Sequence, residues 1–389
     1  MTTPPPGQAG DSRPAGTNQA GDSRPAGTNL AGLRDHNAAL VLGLLRAAPQ
    51  GGSRIELATR TGLTPQAIGK ITARLLAEGM IVEAGQAAST GGKPRTLLRL
   101  RAEAACAVGV HLERDELTVL LVDLAGRHHH VSTEPVERGL TPADAVRLVT
   151  ARIDRAAADL PPGARLLGAG VGCRGPLDHA AGVLHWFTPL GARDAAGWDR
   201  YPLRDELAAR LDGLPVVVDK DTNTAALAEA PTTRRPGGGL AYVHLGAGLG
   251  AGLLLDGALH RGTRTNAGEF GHQTVQIDGP PCDCGNHGCL EVLCLAELRR
   301  GDHAAAARLL GVGVANLVRL LDIDRVVLGG RAVLSAPDVY LAGVTAQIEA
   351  RIPDPDWQAV PVSVSTAGRL AVAAGAAELV LGPLFGRRT

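Results

Sequence analysis

At 389 residues the chain is longer than one hydrophobic core normally serves, so two or three structural units are expected. Lys and Arg (39) balance Asp and Glu (39), aromatics make up only 2%, and lysine is confined to Lys70, Lys93 and Lys220, a coding bias without functional message. No run of about 18 apolar residues is present and the opening MTTPPPGQAG lacks a basic-then-apolar signal, so a soluble, cytoplasmic chain is expected and a membrane one excluded.

The segment QAGDSRPAGTN occurs twice in tandem, at 8–18 and 19–29. Rich in Gly, Pro, Ser and Asn, it cannot bury a core, and residues 1–30 are expected to form a disordered tail. From Leu33 the pattern changes. HNAALVLGLLRAA carries apolar residues at helical spacing. Ser53 is placed to cap a short helix, Gly62 to end it, and Thr64-Pro65 to start the next. Two helices joined by a tight glycine turn make a helix-turn-helix, whose second helix enters the major groove. Here that helix offers Thr64, Gln66, Lys70, Thr72 and Arg74, with Ile68, Ile71 and Leu75 facing inward. MIVEAGQAASTGGKPRTLLRL then reads as strand, Gly-rich tip and strand, a wing whose Lys93 and Arg95 suit phosphate or minor-groove contact. Residues 53–102 hold eight Arg/Lys against three Glu, a local positive balance on a neutral chain. The expectation is a winged helix-turn-helix DNA-binding domain over 31–102.

From about Ala105 strands and helices alternate, giving an α/β body over 103–389 that is large enough for two lobes. AVGVHLERDELTVLLVDLAGR reads as two strands joined by a turn; further strands fit 164–173, 215–219, 240–246, 251–256 and 325–329. Helices fit 143–158, 222–230, 303–321 and 369–382. Cys106, Cys173 and Cys294 stand alone in apolar surroundings and read as small core residues.

The stretch GPPCDCGNHGCLE, residues 279–291, is different. Cys282, Cys284 and Cys289 supply three thiolates at C-x-C-x4-C spacing, and a reducing cytosol favours metal over disulfide. Tetrahedral zinc needs a fourth ligand, for which His272 and His287 are candidates. His272 is preferred, since His287 between Asn286 and Gly288 would require the loop to fold back sharply. Such a Cys3His site is closed, hence structural.

Asn266-Ala267-Gly268-Glu269-Phe270-Gly271-His272 followed by this cysteine run resembles the paired signature of the ROK family of repressors, open reading frames and sugar kinases. The resemblance extends over nearly all of 31–389, through LGAGLGAGLLLDGALHRG at 245–262, DKDTNTAALAEA at 219–230 and VVLGG at 326–330. It implies a two-lobed actin/hexokinase-like (ribonuclease H-like) fold with a sugar cleft between the lobes. It also implies zinc held by His272, Cys282, Cys284 and Cys289, which braces Glu269, His272 and Glu291 toward the cleft. His272 would bind metal through one ring nitrogen and present the other to ligand. Glu291 has a second reading, a helix-start carboxylate interacting with the dipole.

Asp221 lies where the family places its catalytic base, and also reads as an N-cap for the helix that follows. The phosphate machinery departs from the family's kinases. Their first turn, of Asp-x-Gly-Gly-Thr type, corresponds here to Gly109-Val110-His111-Leu112-Glu113-Arg114-Asp115, with His111 in place of the acid and Leu112 and Glu113 in the glycine region. In the second loop, Gly246-Ala247-Gly248, alanine stands where the family commonly has threonine. ATP use is not expected, which leaves Asp221 a vestigial base. The family's Asn-Asp pair reads Lys220-Asp221, so a sugar-touching amide has become a cation that pairs with Asp221 or Asp219 or reaches an acidic or phosphorylated ligand. The segment after Glu291 also looks shorter than in the family. The sequence therefore points to a DNA-binding regulator, a repressor responsive to a sugar or sugar derivative held by Lys220, Asp221, Glu269, His272 and Glu291. It would bind a palindromic operator as a homodimer or dimer of dimers. A sugar kinase with a DNA-binding appendage and a ligand-independent DNA-binding protein are the alternatives.

Overall fold

Ser53 and Glu56 satisfy each other's backbone N–H groups, Glu56 N donating to Ser53 Oγ at 3.3 Å and Ser53 N to Glu56 Oε2 at 2.8 Å. This closed capping box starts a helix that Gly62 ends in the left-handed region at φ 71°. The computed structural model describes residues 30–86, 95–137, 139–185, 197–230, 238–352, 354, 357–387 and 389. The tandem repeat and Lys93 lie outside the described residues.

The head contains α1 (Leu30–Arg46), β1 (Gly52–Ser53), α2 (Arg54–Thr61), α3 (Pro65–Ala77), β2 (Ile81–Gln86) and β3 (Thr96–Leu100). Thr64 Oγ1 caps α3 by accepting from Ala67 N at 3.2 Å. Its sheet runs β1-β3-β2 with antiparallel pairing, the hairpin of a wing. Ile68 and Leu75 face inward as expected, against Leu57 and Leu98. Thr72 does not fit its expected place. It is buried, and its hydroxyl donates to Ile68 O at 2.9 Å and accepts from Arg54 Nε at 3.2 Å, so α3 cannot offer it to DNA.

Two sheets follow. The first draws on β4 (Ala105–Leu112), β5 (Glu116–Asp123), β6 (His128–Pro135), β7 (Arg165–Cys173) and, beyond the short β8 (Leu177–Asp178) and β9 (Val183–Leu184), β10 (Val216–Lys220). The second draws on β11 (Gly239–Leu245), β12 (Leu249–Leu255), β13 (Ala258–Leu259), β14 (Arg325–Gly329) and β15 (Val362–Val364). Their orders, β10-β7-β4-β5-β6 and β13-β12-β11-β14-β15, are the same plan used twice: an antiparallel meander with two parallel strands added on the side of its first strand. This duplication is the actin/hexokinase-like fold.

The helices are α4 (Pro142–Ala157), α5 (Leu203–Arg210), α6 (Asp221–Ala228), α7 (Leu290–Arg299), α8 (His303–Leu321), α9 (Arg331–Ser335), α10 (Pro337–Glu349) and α11 (Ala371–Leu381). Alternation along the strands decides what each face covers. Cys106, Val108 and Val110 of β4 pack toward α4, while Ala105 and Ala107 pack toward α11 and the head. In β11, Ala241 and Val243 join α8 and α10, while Leu240 and Tyr242 face α6 and α11. The pair α6 and α11 is thus the layer between the sheets. Its contact is backbone-close: a Cβ on Gly375 would sit 1.6 Å from Thr224 O. α8 and the stretch Gly368–Phe385 are long and apolar enough to cross a membrane by length and composition, although no apolar run was read there from sequence; both pack into these cores.

Cys106, Cys173 and Cys294 are buried, as expected of core residues. The head is fastened to this body rather than tethered. Its core is continuous with β4, β5 and α11. Arg46 donates to Glu378 of α11 at 2.5 and 3.0 Å, lies 4.4 Å over the Phe385 ring, and shares Glu378 with Arg387 at 3.3 Å.

Candidate functional site

Between β13 and α7 the chain runs through the cysteine loop. The ligand atoms of His272, Cys282, Cys284 and Cys289 all lie within 4.8 Å of one another. Cys284 Sγ is 3.6 Å from Cys289 Sγ and Cys282 Sγ is 3.7 Å from His272 Nδ1. A disulfide requires about 2.05 Å, whereas a tetrahedral zinc with bonds near 2.3 Å sets its donors about 3.8 Å apart. The donor set therefore fits a closed, four-coordinate metal. Burial pushes the Cys289 thiol up to about 12, so metal binding there must displace a proton. His287 is exposed and outside this cluster.

His272 turns its other nitrogen away from the thiols. Nε2 lies 4.0 Å from Glu269 Oε2, and Glu269 Oε1 accepts from Lys220 Nζ at 2.5 Å. Lys220 is 4% exposed and also donates to Ala267 O at 3.1 Å. The expected pairing with Asp219 or Asp221 is therefore wrong. Asp219 is already engaged, taking Arg261 at 2.6 and 2.8 Å, Asn223 Nδ2 at 2.8 Å and the Lys220 backbone N–H at 2.7 Å. Lys220 stands at the N-cap position of α6 and Asp221 is its first helical residue, so Asp221 is not the cap either; its Oδ1 accepts from Thr222 N at 2.7 Å. Glu291 lies in the first turn of α7 and accepts from Leu249 N at 2.6 Å, tying β12 to that helix.

All five sequence-selected ligand residues line one cleft of about 740 Å³. The cleft is also lined by a residue whose pairing sequence reasoning missed. Glu113, on the β4–β5 turn, is held at 3.3 Å by Arg331, which also holds Asp115 at 3.0 Å. Arg331 opens α9, after β14 of the second sheet, so this is an ionic clasp between the lobes. Burial raises the Glu113 carboxyl above its usual range, an effect that Arg331 opposes. Burial likewise lowers His111 and His244, against an opposing pull from Asp221. Glu113 was seen in the sequence only as a departure from the glycine region of the first turn, and nothing in the local sequence pairs it with a residue 218 positions away.

On the head, Thr64, Gln66 and Lys70 are exposed on α3, and Arg95 is exposed at the start of β3. Arg74 lies 3.8 Å from Glu78, one turn along the same helix.

Residues 107–297 match the ROK family. The chain is 29% identical over 241 residues to the xylose repressor of Caldicellulosiruptor bescii, an alignment covering 61% of this chain but only 59% of that repressor. It is 24% identical over 362 residues to the xylose repressor of Bacillus spizizenii, covering 85% of this chain and 91% of the relative. Among solved structures it resembles a ROK family transcriptional regulator that is a homologue of the E. coli MLC protein, with TM-score 0.72, 24% identity, and 91% and 97% of the two chains covered. It also resembles a ROK hexokinase from Thermus thermophilus, with TM-score 0.58, 28% identity, and 70% and 96% covered.

Proposed function

Because this chain carries a ROK family domain over residues 107–297, we propose that it is a sugar-responsive transcriptional repressor acting on carbohydrate-related genes in the cytoplasm. The observation that carries this reading is one chain joining an exposed polar helix in a winged head to a ROK cleft. The head docks with α3 in the major groove, where Thr64, Gln66 and Lys70 face base edges and Arg74, Lys93 and Arg95 meet phosphates. A two-fold dimer reads a palindrome. The effector, a sugar or sugar derivative, lies against Lys220, Asp221, Glu269, His272 and Glu291. Charged acceptors make the stronger hydrogen bonds to its hydroxyls. Zinc, held by His272, Cys282, Cys284 and Cys289, supplies no reaction chemistry in a closed site and braces the loop that presents Glu269.

The repressor reading is favoured over a kinase by the clasp. Arg331 holds Glu113 and Asp115 across the lobes, and on this reading the Glu113 carboxylate would repel a nucleotide's phosphates. Asp221 is present, and what supports the regulator reading is the departure of Leu112, Glu113 and Ala247 from the loops that would hold phosphate.

The test is selection of genomic fragments by the purified protein, read by sequencing. A recurrent palindrome, released when a sugar nominated by the adjoining carbohydrate genes is added, is the expected result. Absence of enrichment by folded, metal-loaded protein, together with ADP formation that requires Asp221, would make it a kinase. A palindrome that no sugar releases would make it ligand-independent.

A further inference from the structure

A glycine commonly has one of two reasons within its own chain: a left-handed backbone, or a neighbour so close that a Cβ would not fit. Where a Cβ would meet nothing within 4 Å, at Gly62, Gly85, Gly213, Gly285, Gly301 and Gly368, φ lies between 56° and 97°. Inside helices, Gly43, Gly311, Gly313, Gly343 and Gly375 would each set a Cβ at 3.1 Å or less from a neighbour. Gly69, in the second turn of α3, has neither reason. Its φ is not positive, and a Cβ there would meet nothing within 4 Å. It marks no break either, since α3 runs on to Ala77 and Gly69 O accepts from Thr72 Oγ1 at 3.2 Å.

Inside a helix glycine is the least favourable residue after proline, and here an alanine would fit. Nothing among the described residues explains the glycine, so the explanation lies in a surface that comes against α3 from outside. Spacing says which face it meets. Gly69 is one turn from Gln66, so the two share a side of the helix, and Lys70 follows directly. Both neighbours are exposed, whereas Ile68 and Leu75 are buried in the core of the head. Glycine is the residue that lets a backbone approach a ligand closely.

We propose that Gly69 is a positioning residue of the DNA interface. Its missing side chain lets α3 seat against base edges on the floor of the major groove, at the depth from which Gln66 and Lys70 reach them. This rests on the reading of the head as a DNA-binding domain. It goes further by naming the point at which helix and bases come closest.

The experiment starts from a pool of random-sequence duplexes, selected through several rounds by the full-length, metal-loaded protein. The enriched sequence and the unselected pool are then titrated with wild type, Gly69→Ala and Gly69→Leu. Gly69→Ala should bind the enriched sequence roughly 10-fold more weakly, the loss expected of one base contact, and Gly69→Leu more weakly again. Binding to the unselected pool should be the same for all three proteins. Both variants should melt no lower than wild type, because Ala and Leu are strong helix formers. That pairing also separates fit from stiffness: a loss caused by stiffening α3 would be equal in the two variants and would overturn the proposal. Unchanged affinity for the enriched sequence, or a lowered melting temperature, would overturn it as well, while leaving the DNA-binding reading intact. An equal loss on the unselected pool would move the contact to the phosphates and away from the bases. If wild type enriches no sequence, the DNA-binding reading fails and this inference with it.

Discussion

Single side chains here carry several duties, and His272 shows how. One nitrogen faces the thiol of Cys282 and the other faces Glu269, which holds Lys220. A metal held there would be linked to the cleft through one imidazole, the way outer partners commonly orient metal ligands. Chelation should lower thermal stability by at least about 2 kcal/mol, several degrees in melting temperature for a protein of this size. Cys289→Ser should abolish binding of one zinc per chain, measured by metal analysis. Unchanged melting on chelation would show that the cluster holds no structural ion. His111 and His244 make a second case. Both are held below their ordinary range by burial, so the folded protein binds fewer protons than the unfolded chain as pH falls below about 6.5. Their contribution to stability is full above that pH and is lost as pH falls through their folded-state values, with a slope of up to about 1.4 kcal/mol per pH unit for each. Denaturant unfolding between pH 7 and pH 5 should show this slope, and His111→Gln should remove part of it. A slope unchanged in the variant would mean that His111 is protonated in the folded state.

Elements were legible where local chemistry alone dictates them. The caps Ser53, Gly62 and Thr64 bracket α2 and α3 as read, α8 spans the expected 303–321, and β7, β11 and β14 lie within a residue or two of their apolar runs. What escaped was set by tertiary contact. β6 is a polar edge strand, HHHVSTEP, with no apolar alternation to announce it. Thr72 looks like a polar face residue until Arg54 and the Ile68 carbonyl claim its hydroxyl. Lys220 looked like half of a sequence-adjacent pair, yet burial required a partner 49 residues away. The element that most governs the molecule, α11, reads in sequence as a plain apolar helix. It touches α6 through Gly375 and carries Glu378, the acid that fastens the head through Arg46. Glu378→Gln leaves two largely buried arginines without a charge partner, a loss on the order of 3 kcal/mol. Faster hydrogen exchange in α1 than in α4 should accompany it, because α4 packs on the far face of the first sheet. Equal changes in both helices would mean that head and body unfold as one unit.

At the scale of the molecule, cleft and head are joined by two helices in series: α6 begins at Lys220-Asp221, α11 lies against α6, and the head is bolted to α11. A ligand influences such a molecule only if it binds one arrangement of the lobes better than another. The clasp of Arg331 with Glu113 and Asp115 defines one arrangement, since it joins the β4–β5 turn of the first sheet to the start of α9 after the second. Burial raises the Glu113 carboxyl, and Arg331 opposes the rise. A group raised in the folded state stabilises below its unfolded value, near 4.5, and that contribution is lost as pH rises through the folded value. The burial of Glu113 is thus offset chiefly by its arginine, with a smaller opposing pull from His244. Arg331→Ala removes that chief offset, so the lobes should part to hydrate Glu113. Small-angle scattering should show a larger radius of gyration, and amides of 109–116 should exchange faster than in the wild type. Operator affinity should shift at the same time, in the direction the effector shifts it. Scattering and exchange identical to wild type would mean that packing of α6 and α11 alone sets the lobes. An opened cleft with unaltered operator affinity would instead mean that lobe closure does not reach the head.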